Sequence, residues 1–453
     1  MADCIALSIT LPAKLRRYAP SKPPSSLTIC CVLNKRVDTF LSSLITTAAV
    51  ANDPSVSDRV IRKFVQSSSK SIALDAFSRI ISPENAHPHL SSFALTFYWR
   101  ITETEWFNWN PKLLADLISS LNERGELNEA QSLLSEAIVR LKDRERDLAL
   151  FYCNLVESHS KRRSQLGFCN SCDLLKQLSD SSSSNFVKRR AFESMIGGYC
   201  MMDLPLEAEN LISEMKGLMI RPSLFEFRSL IYAYGRLGLF EDMRRITSQM
   251  ESQGFKLETV CANMMLSSLG NHGEFIEMTT LLQTMKKSGV SFSIRTYNSV
   301  LNSCTSISSM IEDLKTAPIS IHELMQALED NNNKERVLIH ELIDSSVLED
   351  SMEWNNQEIK LDLHGMHLPS AYLILLQWIE KLRTRLHDED QVIPMEITVV
   401  CGIGKHSIVR GESTVKNLVK QMMIRMDFPM RIDRNNIGCF VGKGKAITKW
   451  LNS

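Results

Sequence analysis

The sequence predicts an α-solenoid of helical hairpin repeats followed by a small α/β sandwich of βαβαββ order. Three observations lead there. Methionines recur every thirty-five residues through the middle of the chain, at Met215, Met250 and Met285. From residue 358 the apolar pattern turns β-rich, in "EIKLDLHG" and "MEITVVCG". The charge changes as well: residues 306–357 hold eleven acids against three Lys and Arg, and residues 358–453 hold ten against fourteen.

At 453 residues the chain has room for two or three domains. A formal net charge of zero gives no global footprint of a nucleic-acid binder. No run approaches the ~18–20 apolar residues that cross a bilayer, so no membrane partner is expected. Residues 1–37 carry six Lys and Arg against the single acid Asp3 and are rich in Ser, Thr and Pro. That is the composition of an organellar transit peptide, disordered in isolation. The Ser/Pro content and the lack of an Arg-rich amphipathic helix favour the chloroplast, with the mitochondrion as the alternative.

Residues 38–188 read as degenerate helical repeats, for example "PKLLADLISSLNERGELNEAQSLLSEAI". Residues 189–305 hold the regular ones. Phe192, Phe227, Ala262 and Tyr297 keep the thirty-five-residue interval, as do Met195, Leu230, Met265 and Val300. Each unit reads as two amphipathic helices, "FRSLIYAYGRLG" and then "FEDMRRITSQMESQG". Gly238 and Gly273 fall at the turn between them, and Gly254 and Gly289 close the second helix. Such pairs bury their apolar faces against one another in series. The units span 189–223, 224–258 and 259–293, and a fourth loses its pattern after Cys304. The acidic stretch 306–357 is expected to be a partly helical hinge.

Period, aromatic placement and closing Pro222 resemble the pentatricopeptide repeat family. That resemblance implies an array reading single-stranded RNA, one base per repeat. It also implies that the fifth and last positions of each repeat choose the base. Those are Glu193 with Ser223, Arg228 with Glu258, and Asn263 with Ser293, while Asn298 is the fifth position of the fading unit. Asn263 and Asn298 match the family's pyrimidine-selecting residue, whereas Glu193 and Arg228 depart from its pattern. The alternative is a non-catalytic scaffold whose repeats hold protein partners of the organellar gene-expression machinery.

In residues 358–453, "PSAYLILLQWIEKLRTRL" and "STVKNLVKQMMIRM" have helical apolar spacing, and "MRIDRNNIGCFVGKG" reads as strand, turn and strand. A strand, crossover helix and strand make a parallel pair, and ligands of open α/β sheets bind at the carboxyl ends of such strands. That edge would receive Asp362 and His364 together with "CGIGKHS".

The motifs "LDLHGM", "GIGKHS", "NIGCFVGKG" and the closing "WL" resemble the small MutS-related (Smr) domain, which plants fuse to pentatricopeptide arrays. The resemblance implies binding to RNA, or to DNA as the alternative, with nicking or RNA-cleaving activity in several members. Asp362, His364 and His406 then form the expected catalytic set. His364 would act as general base or acid, and Asp362 would orient it or hold a divalent metal such as Mg2+. Gly402, Gly404, Lys405 and Ser407 would meet a phosphate, and Lys443 and Lys445 are read as further phosphate contacts beside that loop. The family's "TGWG" is "CGIG" here, with Ile403 in place of the tryptophan. Cys169 and Cys172 have zinc-ligand spacing but no partner pair, so they are read as packing thiols.

Overall fold

The regular repeats fold as their period requires. Six helices make three hairpins: α1 (Asn185–Met201) with α2 (Pro205–Gly217), α3 (Leu224–Arg236) with α4 (Phe240–Ser252), and α5 (Thr259–Asn271) with α6 (Phe275–Lys287). The computed structural model describes residues 27–50, 54–83, 89–331, 333–355, 358–386, 395–403 and 413–451. It divides the chain into two units, 1–167 and 168–453.

The periodic residues form the core of the array. Met215, Met250 and Met285 are fully buried, as are Phe192, Phe227, Ala262 and Tyr297. Gly238, Gly254, Gly273 and Gly289 all take positive φ, ending the helices where the sequence places them. In the first hairpin the same two places are held by Asp203 and Met219, also at positive φ. Small residues let consecutive first helices approach closely. A Cβ on Gly235 would lie 2.6 Å from Ser268 Oγ, and one on Gly270 would lie 2.7 Å from Ser303 Oγ.

The first unit is helical throughout its described residues. Its helices include Pro54–Ser67, Lys70–Ile80, Ala94–Thr102 and Pro111–Glu123. Phe40, Phe64, Phe77 and Phe97 stack at its centre, with the Phe40 and Phe64 ring centroids 3.8 Å apart. The helix Leu27–Val50 begins inside the segment expected to be disordered. The reason is apolar burial: Val37 and Leu44 are fully enclosed. Residues 1–26, most of the expected transit peptide, lie outside the described residues.

The acidic stretch is not a hinge. It supplies α7 (Ile294–Leu301) with a short partner α8 (Thr305–Glu312), then α9 (Ile321–Asn331) and α10 (Asn333–Ile343). Leu324, Leu328, Leu338, Ile339 and Leu342 are all fully buried. The acids attach the stretch rather than repel its neighbours. Fully buried Glu335 accepts the Ser306 backbone N–H at 3.1 Å, capping α8. Glu341 pairs with Lys286 of α6 at 2.7 Å.

A five-stranded sheet follows, made of β1 (Met352–Trp354), β2 (Glu358–Asp362), β3 (Glu396–Val400), β4 (Arg431–Ile432) and β5 (Cys439–Lys443), in the order β1-β2-β3-β5-β4. The helices are α11 (Leu368–Leu386), α12 (Thr414–Arg425) and α13 (Gly444–Leu451). β2 and β3 are parallel, and the other pairs are antiparallel. From β2 onward the elements run strand, helix, strand, helix, strand, strand and helix, with β1 before them.

Removing a periodic methionine should open a cavity that rigid helix pairs fill poorly. Met250→Ala is expected to cost about 2–5 kcal/mol, and Leu206→Ala at an exposed site less than about 0.5 kcal/mol. Urea denaturation of the two variants checks the difference.

Candidate nucleic-acid interface

The fifth residues of the repeats lie on the first helices, and each last residue is the N-cap of the next first helix. Stacking brings these positions together. Asn263 Nδ2 donates to Ser293 Oγ at 3.3 Å, and Arg228 forms an ion pair with Glu258. Ser223 and Ser293 have a second duty as capping-box residues. Ser223 accepts the Phe225 N–H at 3.2 Å and donates its hydroxyl to Glu226 at 2.6 Å. Ser293 shares the same arrangement with Thr296. Glu193 is turned to Arg190, 2.6 Å away.

The two asparagines differ sharply. Asn263 is 8% exposed, and its Oδ1 has no hydrogen-bond partner. Whichever way the amide is turned, one end is left unpaired in a nearly closed site, and such groups call for a partner. Asn298 is satisfied at both ends. Its Nδ2 donates to Gly365 O at 3.0 Å, and its Oδ1 accepts the His367 N–H at 2.9 Å. The resemblance makes Asn298 a base selector; in the structure both ends of its amide are engaged by the turn that follows β2.

That turn carries the sheet-edge residues. Asp362 ends β2 opposite Val400 of β3, which in turn faces Cys439 of β5. Asp362 Oδ1 accepts the His364 N–H at 2.9 Å, and His364 Nδ1 lies 3.8 Å from Asp362 Oδ2. The His364 side chain is 76% exposed. Gly365 at φ +81° allows the tight reversal into α11.

Gly402, with φ +75°, leaves the carboxyl end of β3 at the same edge. Cys401 is buried and its N–H donates to Gly438 O at 2.8 Å; burial pushes its thiol up to about 12. Gly404, Lys405, His406 and Ser407 lie outside the described residues.

Lys443 and Lys445 do not lie where that loop leaves β3. Lys443 pairs with Glu396, which pairs with Glu358, so it sits at the opposite end of the strands from Asp362. Four strand residues at ~3.3 Å each put it roughly 13 Å away. The expectation failed because β5 runs antiparallel to β3, and strand direction is not written in a local motif.

The antiparallel course instead delivers the β4–β5 turn to the Asp362 edge. A Cβ on Gly438 there would lie 2.9 Å from Ile403. Arg434, Asn435 and Asn436 are exposed on this turn. Lys416 stands in the first turn of α12, whose cap Ser413 donates to Cys401 O at 3.4 Å. Sequence reading missed all four; the "DRNN" turn signal was visible, its position was not. Among the described residues, no three His, Cys, Asp or Glu side chains gather as a metal would need. Cys172 is buried, which pushes its thiol up to about 12.

Ser223→Ala and Ser293→Ala should each cost about 0.5–2 kcal/mol by removing a cap. The Ser223 change should be the larger, since it also strips a hydrogen bond from the fully buried Glu226. Denaturation midpoints of the two variants provide the comparison.

Comparison with known proteins fits this geometry. Pentatricopeptide repeat models match residues 190–220 and 227–255, and a pentatricopeptide repeat domain model matches 245–306. The pentatricopeptide repeat-containing protein At2g17033 of Arabidopsis thaliana is 53% identical over 419 residues, 92% of this chain and 82% of that protein. The crystal structure of the pentatricopeptide repeat protein PPR10 from maize aligns with a TM-score of 0.37 at 12% identity, covering 89% of this chain and 64% of that one. PPR10 in complex with an 18-nt psaJ RNA element aligns with a TM-score of 0.34 at 16% identity, over 80% and 51% of the two chains. This chain thus spans less than two thirds of the solved PPR10 chains, and a likeness of that size adds nothing to the fold described above.

Proposed function

This chain belongs to the pentatricopeptide repeat family, and on that footing we propose that its array binds single-stranded RNA and presents it to the sheet edge at Asp362 and His364. The observation that carries the reading is the half-satisfied amide of Asn263. It is nearly enclosed, its Nδ2 held by Ser293 and its Oδ1 buried without a hydrogen-bond partner, so a small turn of the side chain would offer that end to the edge of a base. Such an amide gains a hydrogen bond that water reaches poorly, which is how a side chain selects one base over another. Arg228 is paired with Glu258 through its guanidinium end, while its buried Nε has no hydrogen-bond partner.

The sheet domain is read as Smr-like on its four sequence motifs. A second reading, endoribonuclease activity, rests on the placement of His364. An exposed imidazole with a carboxylate 3.8 Å away can accept a proton from a 2′-hydroxyl. Residues 1–37 are proposed to deliver the chain to the chloroplast, for processing or expression of its transcripts.

With the full chain and a random pool of single-stranded RNA, binding is expected to weaken as salt rises. Asn263→Ala should flatten the base preference at one position by about tenfold and leave the others unchanged. New RNA ends that appear with the wild type and vanish with His364→Ala would establish cleavage. If no RNA is retained even at low salt, the protein-scaffold alternative stands instead.

The leader is tested by itself. Residues 1–60 fused to a fluorescent protein should enter isolated chloroplasts and not mitochondria, and the reverse result would reassign the organelle.

A further inference from the structure

We infer that Asn298 is a strut rather than a base reader: it seats the Asp362–His364 turn where a further reading position would otherwise stand. The nucleotide next to the one facing Asn263 then meets His364. This rests on the RNA reading above and assigns the sheet a fixed offset from the sequence that the array selects.

Asn298 occupies the same place in its repeat as Asn263, yet its amide is closed. One end holds Gly365 O and the other holds the His367 N–H, so both polar atoms are engaged by the turn, and the side chain is nearly buried. One helical turn later, Asn302 holds the same segment through its side chain, with Nδ2 2.8 Å and Oδ1 3.0 Å from His367 Nδ1. On the adjoining face, the Tyr297 hydroxyl donates to Leu342 O at 2.7 Å and lies 3.3 Å from Gln377 Oε1 of α11. Three successive contacts therefore fix α7 to the turn and to the helix that the turn starts. Asn298 and Tyr297 are both nearly or fully buried.

The spacing fits one position of the array. Ser293 caps α7 and completes the Asn263 site, and Asn298 lies five residues further along the same helix. At ~1.5 Å per residue the two are roughly 7.5 Å apart along its axis. His364 is the residue before Gly365, whose carbonyl Asn298 grips, and it is exposed. A strand leaving the Asn263–Ser293 site along the array meets this turn instead of another pair of selecting side chains.

Two readouts on the full chain test the assignment. The first is amide exchange at His367, whose N–H ends on Asn298. In Asn298→Leu it should quicken by about tenfold or more, while exchange in α1 to α6 stays unchanged and shows that the array is folded. The second uses RNA selected from a random single-stranded pool, with 4-thiouridine walked along it one nucleotide at a time. In the wild type, crosslinks to the tryptic peptide 361–381 should be confined to the nucleotide beside the one that Asn263 selects. In Asn298→Leu they should spread over several positions or fall about fivefold, with the base preference unaltered. Should Asn298→Leu not fold, Asn302→Ala loosens the same turn from an exposed position and should spread the crosslinks likewise.

Loss of a base preference at a position of its own in Asn298→Leu would overturn the strut and leave the RNA reading intact. So would crosslinks that stay confined to one nucleotide in both variants. A pool from which nothing is retained would overturn the RNA reading, and the fixed offset with it.

Discussion

A stack of helical hairpins leaves the apolar face of its last member open to water, and the second unit is arranged around closing that face. The closure centres on Tyr297, an aromatic of the repeating core. In the preceding units its place is taken by Phe192, Phe227 and Ala262, which have no polar atom on the side chain. Tyr297 keeps the ring buried and adds a hydroxyl that reaches α10 and α11, and burial pushes that hydroxyl up to about 12. Similar links extend outward from it. The Tyr372 hydroxyl of α11 donates to Pro318 O at 2.6 Å, and Arg425 of α12 donates to Leu314 O at 2.7 Å and Ala317 O at 2.6 Å. The segment 306–357 is thereby held between the array and the sheet by groups from both. Its acids take part in the same closure, which explains how so acidic a stretch packs without repelling itself.

Much of this was legible in the sequence, and the exceptions have physical causes. The repeat was plain because a buried methionine at a fixed interval reports the pitch of the stack directly. The glycines were equally plain, since left-handed turns are easy only for them. The acidic stretch was misread because its charge, eleven acids to three bases, is conspicuous, while its apolar residues fall into two short helices of eleven residues each. In segments so short the periodic signal is weak, and the partners that bury Leu324, Leu328 and Leu338 are distant in sequence. Lys443 was misplaced for a related reason. Its motif lies close in sequence to the β4–β5 turn, but the register with Glu396 carries it to the far end of the strands.

Asn263 and Asn298 show what a repeat-position rule leaves undetermined. Both are asparagines at the same point of their repeats, on equivalent helices, and both are nearly buried. One amide has a vacant hydrogen-bonding end and the other has none. The difference is made by Gly365 and His367, sixty-seven and sixty-nine residues further along the chain. Residue type supplies the capacity to select a base, and the neighbours decide whether that capacity is available.

The distribution of fixed charge accounts for the need to hold the sheet so firmly. Among the described residues, the Asp362 edge is served by Arg434 and Lys416, while Lys443 and Lys445 lie at the other end of the strands. Asp362 itself contributes a negative charge where a phosphate would pass. The described cations of that edge, Arg434 and Lys416, would by themselves gather a polyanion weakly from solution, because binding of this kind grows with the number of phosphates neutralised. On the reading proposed above the edge would meet a strand that the array has already bound, since tethering raises the local concentration into the millimolar range when the geometry permits both contacts. That gain depends on the two surfaces keeping their separation, and a mobile acidic hinge would have dissipated it. Packing the acidic segment and fixing the turn through Asn298 remove that slack.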